Sequence, residues 1–365
     1  MGRIHSKILV LGKYDPQYNR VKVLLEAFRT QGFELKEYNL TYSPIVQHLR
    51  FLILLPRILK DALQSAFILV PYPGWNSALI MKVLSLISAK PIVFDAFIST
   101  FCTNVEDLRA FSHSSLKGRF YWLLDRISCE LADVVLLDTN QHVDYFVRTF
   151  GLNRHKFIRA FVGVSPEAYF SFKQREARHG HPKLLFYGSF SPLQGIPIIV
   201  EAIDILRKRE VNLKLTLIGD GFESEIVNHL ISSLGLSDII QRLTHVDYDI
   251  LLKQINDADL CLGIFGESIK SRLVIPNKVY DYAALNKVFV TGNSRAMHEL
   301  FVEGEDYIGC KFFDAVNLAE TILNVINNLH EFRQALNPRR KIMKHATPMH
   351  IGRRLMIDLL NRIGL

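Results

Sequence analysis

The sequence predicts two α/β domains in tandem, each built on a parallel sheet with helices on both faces. The first observation is length, because 365 residues exceed what one ordinary hydrophobic core holds. The second is a regular alternation of short apolar runs with segments of helical spacing. The third is a polar stretch at 171–183, bearing Gly and Pro, after which the alternation starts again. We therefore expect domains over 1–170 and 184–345, joined by a linker over 171–183.

Five apolar runs predict the strands of the first domain. Each is short, rich in β-branched residues or leucine, and bounded by turn-forming residues. Helical spacing follows the first run and stops at Gly32, and a second helical segment covers 77–90. The predicted strands cover residues 7–12, 66–74, 91–97, 132–139 and 156–164.

Four further runs predict the sheet of the second domain. The first is followed by a loop with Gly195 and by a long helix from Ile198. The last follows a short helix that begins near Pro276. The predicted strands cover residues 184–190, 213–221, 258–265 and 288–292.

Composition limits the classes of function. Hydrophobic residues make up 49% and charged residues 22%, as in ordinary globular proteins. The four cysteines are scattered with no CxxC pair, which argues against a zinc site or a disulfide framework. The net charge of +8 suits anionic partners, but no nucleic-acid module occurs, so we expect no nucleic-acid partner. Neither half carries the GxGxxG turn of nicotinamide and flavin enzymes.

Glycines at strand ends mark candidate ligand loops in the second domain. Ligands of parallel sheets bind beyond the carboxyl ends of the strands, and glycine lets a backbone approach them closely. Gly188 and Gly219 each end a predicted strand. The third loop, 265–278, carries several cations into a helix start, where phosphates bind well. The same glycines also fit plain turns.

Charge and hydrogen-bonding groups gather at that helix start. Arg272 and Lys278 supply positive charge, and Asn277 offers an amide. Asp281, one turn into the helix, is placed to accept hydrogen bonds from sugar hydroxyls. This set suits a nucleotide diphosphate attached to a sugar. Alternatively, Asp281 could merely favour the helix dipole.

Five segments follow one another in the second half: "FYGSFSPLQGI", "LKLTLIGDG", "NDADLCLGIF", "VIPNKVYDYAALNKVFVT" and "SRAMHELF". In this order they resemble the nucleotide-sugar-binding domain of GT-B glycosyltransferases, specifically the retaining family 4. The resemblance covers about 180–310 and extends more weakly to "FVGVSPEAYF" in the first half. It implies two Rossmann-like domains facing a cleft, a nucleotide diphosphate sugar as donor, retention at the anomeric carbon, and neither metal nor cofactor.

The resemblance assigns roles to individual residues. Asp281 would hold the ribose, and the loop before it would meet the diphosphate. Lys278 and Arg272 would stabilise the leaving diphosphate, and are our predicted catalytic cations. The family usually has Arg and Lys in the first glycine loop and a Glu earlier in the third segment. The predicted donor-binding set is Gly188, Ser189, Gln194, Gly219, Glu267, Pro276, Asn277 and Asp281.

Two of these positions, and Leu273 outside the set, depart from the family pattern. Ser189 and Gln194 stand where the family has its Arg and Lys, and Leu273 stands in place of the earlier Glu. Glu267 could stand in for that Glu, although its register differs. Two usual phosphate cations are therefore missing, and the cations of the third segment would have to compensate.

Asp95 is the predicted catalytic carboxylate of the first domain. It ends the strand 91–97, at a place that faces the reacting sugar in the resembled family. A carboxylate there could stabilise an oxocarbenium-like transition state or orient the acceptor hydroxyl. The alternative is a cap for the following segment.

Two stretches of the first domain combine basic, aromatic and leucine residues as interfacial helices do. "HLRFLILLPRILKDALQ" contains Arg50, Arg57 and Lys60, and "SLKGRFYWLLDRI" contains Lys117 and Arg119. Either could equally be an ordinary packing helix. Together they predict contact with an anionic membrane surface and a glycan or lipid-linked acceptor. We expect a cytoplasmic protein, peripheral at the inner face of the membrane.

Two other functions stay open. A GT-B-fold nucleotide-sugar epimerase would need acid and base residues but no acceptor groove. A binding or scaffold protein that has lost turnover would explain the departures at Ser189, Gln194 and Leu273. The resemblance also implies that the amphipathic end, 346–365, packs back on the first domain.

Overall fold

The computed structural model describes residues 7–40, 44–170, 172 and 180–364. It divides into two compact units. The first unit comprises Met1–Val105, Phe111–Ser165 and His345–Leu365, and the second comprises Glu106–Ala110 and Pro166–Lys344. Most of the predicted linker 171–183 lies outside the described residues. The segment Glu106–Ala110 belongs to the second unit although its neighbours in sequence belong to the first.

The first unit has a parallel six-stranded sheet in the order β2-β1-β3-β4-β5-β6. Its central strands are almost fully buried, as expected for a sheet covered on both faces. The strands are β1 (Lys7–Gly12), β2 (Glu34–Asn39), β3 (Ile68–Val70), β4 (Ile92–Phe97), β5 (Val134–Leu137) and β6 (Phe157–Arg159).

Five helices connect these strands. Most have one buried apolar face and one polar face, which is why they pack on the sheet. They are α1 (Asn19–Thr30), α2 (Pro44–Gln64), α3 (Ala78–Ser88), α4 (Leu116–Leu131) and α5 (Asn140–Phe150).

The second unit has a parallel six-stranded sheet in the order β12-β11-β10-β7-β8-β9. Within Pro166–Lys344, the first element is α6 (Glu167–Phe170). The strands are β7 (Lys183–Tyr187), β8 (Lys214–Ile218), β9 (Ile240–Leu243), β10 (Leu260–Leu262), β11 (Phe289–Gly292) and β12 (Ile308–Cys310). The further helices are α7 (Ile196–Lys208), α8 (Ser224–Ser233), α9 (Tyr248–Asp257), α10 (Asn277–Ala284), α11 (Ala315–Asn327), α12 (Leu329–Ala335) and α13 (Pro338–His345).

The last helix, α14 (Pro348–Ile363), packs against α1 within the first unit. Gly352 makes the close approach possible, because a Cβ there would lie 2.3 Å from the carbonyl oxygen of Ala27. Leu355 and Leu359 are buried on the same side of the helix.

Both sheets run parallel, as the alternation of apolar runs predicted. Three strands were not predicted: β2, β9 and β12. Each lies at an edge of its sheet, and β2 has no buried residue. An edge strand buries less surface, so its sequence lacks the continuous apolar run on which the prediction relied.

Asp95 is fully buried on β4 and forms an ion pair with Arg20 of α1, which is 1% exposed. Arg20 Nη2 lies 2.7 Å from Asp95 Oδ1, and Nε donates to both carboxylate oxygens at 3.2 and 3.1 Å. The remaining Nη1 donates to the carbonyl of Phe161, just beyond β6, at 2.9 Å. Burial raises the pKa of Asp95, and the guanidinium opposes that shift. The pair ties α1, β4 and the end of β6 together, so this geometry gives Asp95 a structural task and no support for catalysis.

We expect Arg20→Met to destabilise the first unit by about 3–5 kcal/mol, because it leaves a buried carboxylate without its counter-charge. The urea midpoint of unfolding, followed by circular dichroism, measures this. Arg29→Met is the matched control, because Arg29 pairs with Glu37 at a largely exposed position and should cost no more than about 1 kcal/mol. Equal effects for the two variants would contradict the structural role.

Candidate functional site

The second sheet reverses its direction of winding between β7 and β10. From β7 the chain proceeds to β8 and β9 on one side, and then returns to β10 and β11 on the other. Leu185 of β7 pairs directly with Cys261 of β10. The loops that leave two such strands separate from each other, and ligands of open α/β sheets bind in the crevice between them.

Gly188 and Gly219 let the loops after β7 and β8 pass close together. Their φ angles are 146° and 134°, which favours glycine. A Cβ on Gly219 would lie 1.9 Å from the carbonyl oxygen of Gly188, so the second loop requires glycine. A Cβ on Gly188 would lie 3.1 Å from the ammonium nitrogen of Lys278. The first glycine loop therefore lies directly beside that ammonium group.

Lys278, in the first turn of α10, is only 4% exposed. Its Nζ donates to Gln194 Oε1 at 2.6 Å and lies 3.5 Å from the ring centroid of Phe186. No carboxylate in the described part of the chain pairs with it. Burial alone holds the pKa of Lys278 well below its usual range.

The lowered pKa means that this ammonium group costs stability. Between the lowered pKa and the ordinary lysine pKa, the unfolded chain binds more protons than the folded protein. The free energy of unfolding therefore rises with pH across that window, and the cost is greatest below it. An anion bound next to Lys278 would remove this cost by favouring the charged form.

The loop after β7 is held in place by the loop after β10. The amide of Phe265 donates to the carbonyl of Gln194 at 3.0 Å, and that of Gly266 donates to Leu193 at 3.2 Å. Backbone contact leaves no room for a side chain at Gly195, where a Cβ would lie 2.5 Å from the nitrogen of Gly266. This pairing positions the Gln194 side chain against Lys278.

Asp281 lies one turn further along α10 and is 6% exposed. Three tyrosine hydroxyls donate to its carboxylate: Tyr169 and Tyr248 to Oδ1 and Tyr187 to Oδ2. Burial raises the pKa of Asp281, while the three hydroxyls oppose the shift. Tyr248 makes the longest of the three bonds, 3.2 Å, and is 47% exposed. A ribose hydroxyl could reach Asp281 where the Tyr248 hydroxyl now lies.

The other predicted site residues lie in different environments from Lys278 and Asp281. Ser189, Glu267 and Arg272 are exposed, and the guanidinium of Arg272 lies 5.7 Å from the ring centroid of Phe312. Pro276 is the N-cap residue of α10, and Asn277 begins the helix. The structure therefore brings Gly188, Gln194 and Lys278 into contact, and gives Arg272 an aromatic partner outside that cluster.

Known proteins resemble this chain at two levels: a family matches part of the sequence, and solved structures match the fold. Residues 181–328 match the family described as Glycosyl transferases group 1. No curated protein sequence matches the chain. HepE from Anabaena, solved in complex with UDP, superposes with a TM-score of 0.69 at 15% identity, covering 97% of this chain and 100% of that one.

Two further solved structures agree over almost the whole chain. Sucrose-phosphate synthase from Thermosynechococcus elongatus has a TM-score of 0.71 at 14% identity, covering 98% of each chain. The lipopolysaccharide outer core galactosyltransferase WaaB, in its apo form, has a TM-score of 0.62 at 10% identity, covering 97% of this chain and 99% of that one. The chain has the GT-B fold. At these identities the structures show the fold alone.

The tyrosines around Asp281 were not predicted from the sequence. Tyr187 ends β7, Tyr248 begins α9, and Tyr169 lies in α6. Tyr187 lies 18 residues after Tyr169, and Tyr248 lies 61 residues after Tyr187, so no local motif connects the three. Of the three, only Tyr187 could have been suspected from the sequence, because it ends the apolar run of β7 directly before Gly188.

The first unit of this GT-B chain presents a broad exposed apolar surface, which we call the α3–α4 face. Helix α3 packs between α2 and α4, and leucine, isoleucine, valine and phenylalanine side chains point outward from α3 and α4. Soluble monomers rarely leave so many large apolar side chains together in water. The residues of the face are Leu79, Val83, Leu86, Ile87, Leu116, Phe120, Leu123 and Ile127.

Basic residues flank the α3–α4 face. Lys117 and Arg119 on α4 are exposed, as are Arg57 and Lys60 on α2. The side chain of Arg50 lies outside the described part of the structure. Trp122 of α4 does not join the face, because its indole donates to the carbonyl of Thr149 at 3.0 Å. Among the described helices, none is long and apolar enough to cross a membrane.

If Asp281 receives the ribose where Tyr248 now donates, we expect Asp281→Asn to weaken UDP binding at least roughly tenfold, since a hydrogen bond to a charged group is lost. Tyr248→Phe should leave the affinity unchanged or raise it, because the hydroxyl it removes competes with the ribose. Isothermal titration of both variants with UDP measures this. Unchanged binding by Asp281→Asn would exclude the contact.

Proposed function

We propose that this protein is a glycosyltransferase that moves a hexose from a nucleotide diphosphate sugar to a hydroxyl of a glycan or lipid-linked glycan. The observation that carries the proposal is the buried ammonium group of Lys278. It lies beside a glycine loop at the reversal point of the second sheet, and no carboxylate in the described residues neutralises it. A diphosphate would supply the missing charge.

The departure at Gln194 supports a functional site. In the resembled family a lysine stands at this position, whereas here Gln194 Oε1 accepts a hydrogen bond from Lys278. Two buried ammonium groups at that distance would repel each other strongly. The site therefore keeps one cation in this place, carried by α10 rather than by the loop after β7. This exchange offsets one of the two missing family cations.

The proposed mechanism is electrostatic stabilisation of the leaving diphosphate. Lys278 would face the phosphate oxygens together with backbone amides of the loop after Gly188. A dry, preorganised cation strengthens its interaction as negative charge develops on the departing group. Asp281 would hold the ribose, and Arg272 would serve at the outer edge of the site. Retention at the anomeric carbon, and transfer without metal or cofactor, follow only from the family resemblance.

A glycosyltransferase-like protein without turnover is the second candidate. The observation that favours it is the carboxylate of Asp281, which already accepts hydrogen bonds from three tyrosines. Against it stands the unneutralised Lys278, whose stability cost has no structural purpose in the described residues. Within the described residues, the Lys278 cluster contains no acid and base pair, so that cluster gives an epimerase no support.

Exchanging the two side chains tests the donor site. We expect Lys278→Gln alone to weaken UDP binding roughly 10–100-fold, because it removes a charge-assisted hydrogen bond. The double variant Gln194→Lys with Lys278→Gln should recover much of that loss, since it returns one ammonium group to the same place. Isothermal titration measures the affinity for UDP, and release of UDP from UDP-hexoses measures turnover.

Two outcomes separate the candidates. If Lys278→Gln binds UDP as tightly as the native protein, the phosphate assignment fails. If the native protein binds UDP but turns over no nucleotide sugar with any glycan or lipid-linked acceptor, the protein without turnover is favoured. Lys253→Gln, at an exposed position on α9, is the control for loss of one lysine charge.

We further propose that the α3–α4 face contacts an anionic membrane surface and brings the enzyme to a lipid-linked acceptor. The apolar side chains would enter the interfacial region, and the flanking basic residues would meet anionic headgroups. This supports a cytoplasmic, peripheral enzyme at the inner face, engaged in surface polysaccharide or glycolipid synthesis.

We expect Leu86→Asp and Phe120→Asp each to reduce binding to phosphatidylglycerol vesicles roughly tenfold, because each removes about 1–2 kcal/mol of apolar burial. Vesicle sedimentation measures this. Ile226→Asp is the matched control, because Ile226 is 58% exposed on α8 of the second unit. Lys117→Glu with Arg119→Glu should weaken binding to anionic vesicles only. Unchanged binding by all face variants would contradict the assignment.

A further inference from the structure

The second unit contains a pocket of about 490 Å³ that is separate from the Lys278 cluster. Its walls come from five places in that unit: Glu106–Arg109, the loop from Pro192 to Ile198, the turn with Phe222 and Glu223, Gly266–Ser268, and Phe313. The loop from Pro192 to Ile198 also carries Gln194. The pocket and the Lys278 cluster therefore share one loop.

Two carboxylates of the pocket have an oxygen without a hydrogen-bond partner among the described residues. Asp107 is 2% exposed, and its Oδ1 accepts no hydrogen bond. Ser268 and the backbone of Leu193 donate to the same carboxylate, so its position is fixed. Glu223, partly buried, leaves Oε2 without a partner. A buried acceptor without a partner costs about 1–3 kcal/mol, so these oxygens call for a ligand with hydrogen-bond donors.

The surroundings of the two carboxylates also favour a ligand that donates hydrogen bonds. Burial raises the pKa of Glu223, and the nearby charge of Asp107 raises it further. Burial also raises the pKa of Asp107, while the ammonium of Lys270 opposes the shift. Ligand groups that donate hydrogen bonds would stabilise both carboxylates in their charged form.

Apolar residues also line the pocket, and two of them are exposed aromatic rings. Phe222 is 66% exposed and Phe313 is 58% exposed. Phe313 has a φ of 57°, and Arg109 has a φ of 51°, which are rare conformations for residues with side chains. A hydrogen bond of 2.9 Å from the amide of Phe313 to the carbonyl of Phe265 fixes the first of these. Strained residues of this kind concentrate at ligand sites.

We infer that this pocket binds a sugar ring, with Asp107 and Glu223 accepting from its hydroxyls and Phe222 and Phe313 covering its C–H face. A pyranose has the required combination of donors around its edge and an apolar face. The inference rests on the proposed function, because the pocket adjoins the proposed diphosphate site through the shared loop. The ring could belong to the donor sugar or to the acceptor glycan.

Asp107→Asn and Glu223→Gln test the pocket, because each keeps the shape of the side chain and removes the charged acceptor. Phe222→Ala tests the apolar wall. Glu225→Gln is the matched control, since Glu225 is exposed on α8 and does not line the pocket. The probes are UDP, UDP-glucose and a panel of methyl hexosides offered in the presence of UDP, all followed by titration calorimetry.

A donor ring predicts that the pocket variants lose roughly tenfold or more in affinity for UDP-glucose and keep their affinity for UDP. An acceptor ring predicts that affinity for a methyl hexoside falls by a similar factor while that for UDP-glucose is kept. The inference would be overturned if the pocket variants bind saccharides as tightly as the Glu225→Gln control does. It would also be overturned if they change only the response to Mg²⁺. If native protein binds no UDP, the proposed function fails, and the methyl hexosides alone then decide the pocket.

Discussion

One buried ammonium group constrains the second unit more than any other group. Lys278 lies at the carboxyl edge of the sheet, where the winding reverses between β7 and β10, and its only close polar partner among the described residues is the Gln194 amide. A side chain at Gly188 would crowd its ammonium group, and the loop after β7 is held by the loop after β10. Burial therefore disfavours the charged form of Lys278, and an anionic ligand would favour it.

The two units use buried charge in opposite ways. In the first unit, Asp95 and Arg20 neutralise each other and tie a helix to two strands. In the second, Lys278 has no carboxylate partner among the described residues, and burial lowers its pKa. Asp95 lies inside β4, and its carboxylate is paired with Arg20. The charge balance within the described residues separates this paired carboxylate from the unpaired Lys278, which strand position alone does not do.

The sequence predicted the parts of the fold that depend on apolar runs. The central strands of both sheets and the helix start at Asn277 follow from such runs and from turn residues. The edge strands β2, β9 and β12 were missed because they bury little surface. The tyrosines around Asp281 and the pocket carboxylates Asp107 and Glu223 come from distant parts of the chain, so their proximity depends on tertiary structure. Gln194 stands where the resembled family has a lysine, and only the tertiary structure places its amide oxygen against Lys278.

The exposed α3–α4 face is another feature that the sequence alone did not predict. Helical spacing predicted α3 as a helix, but its outward residues, such as Leu86, are as apolar as its buried ones. Periodicity of hydrophobic residues cannot identify which side of an apolar helix faces the sheet. The sequence therefore predicted membrane contact from the basic residues of α2 and α4. The exposed apolar side chains of the α3–α4 face were identified only in the structure.

Thermal unfolding of Lys278→Met, with and without UDP, tests whether the buried ammonium group serves an anionic ligand. We expect the variant without ligand to be more stable than native protein, because a desolvated lysine is replaced by an apolar chain of similar length. We also expect UDP at a hundredfold excess over its Kd to stabilise native protein by about 2.7 kcal/mol and the variant far less. A variant that is less stable without ligand, yet responds fully to UDP, would make Lys278 a structural residue and contradict that role.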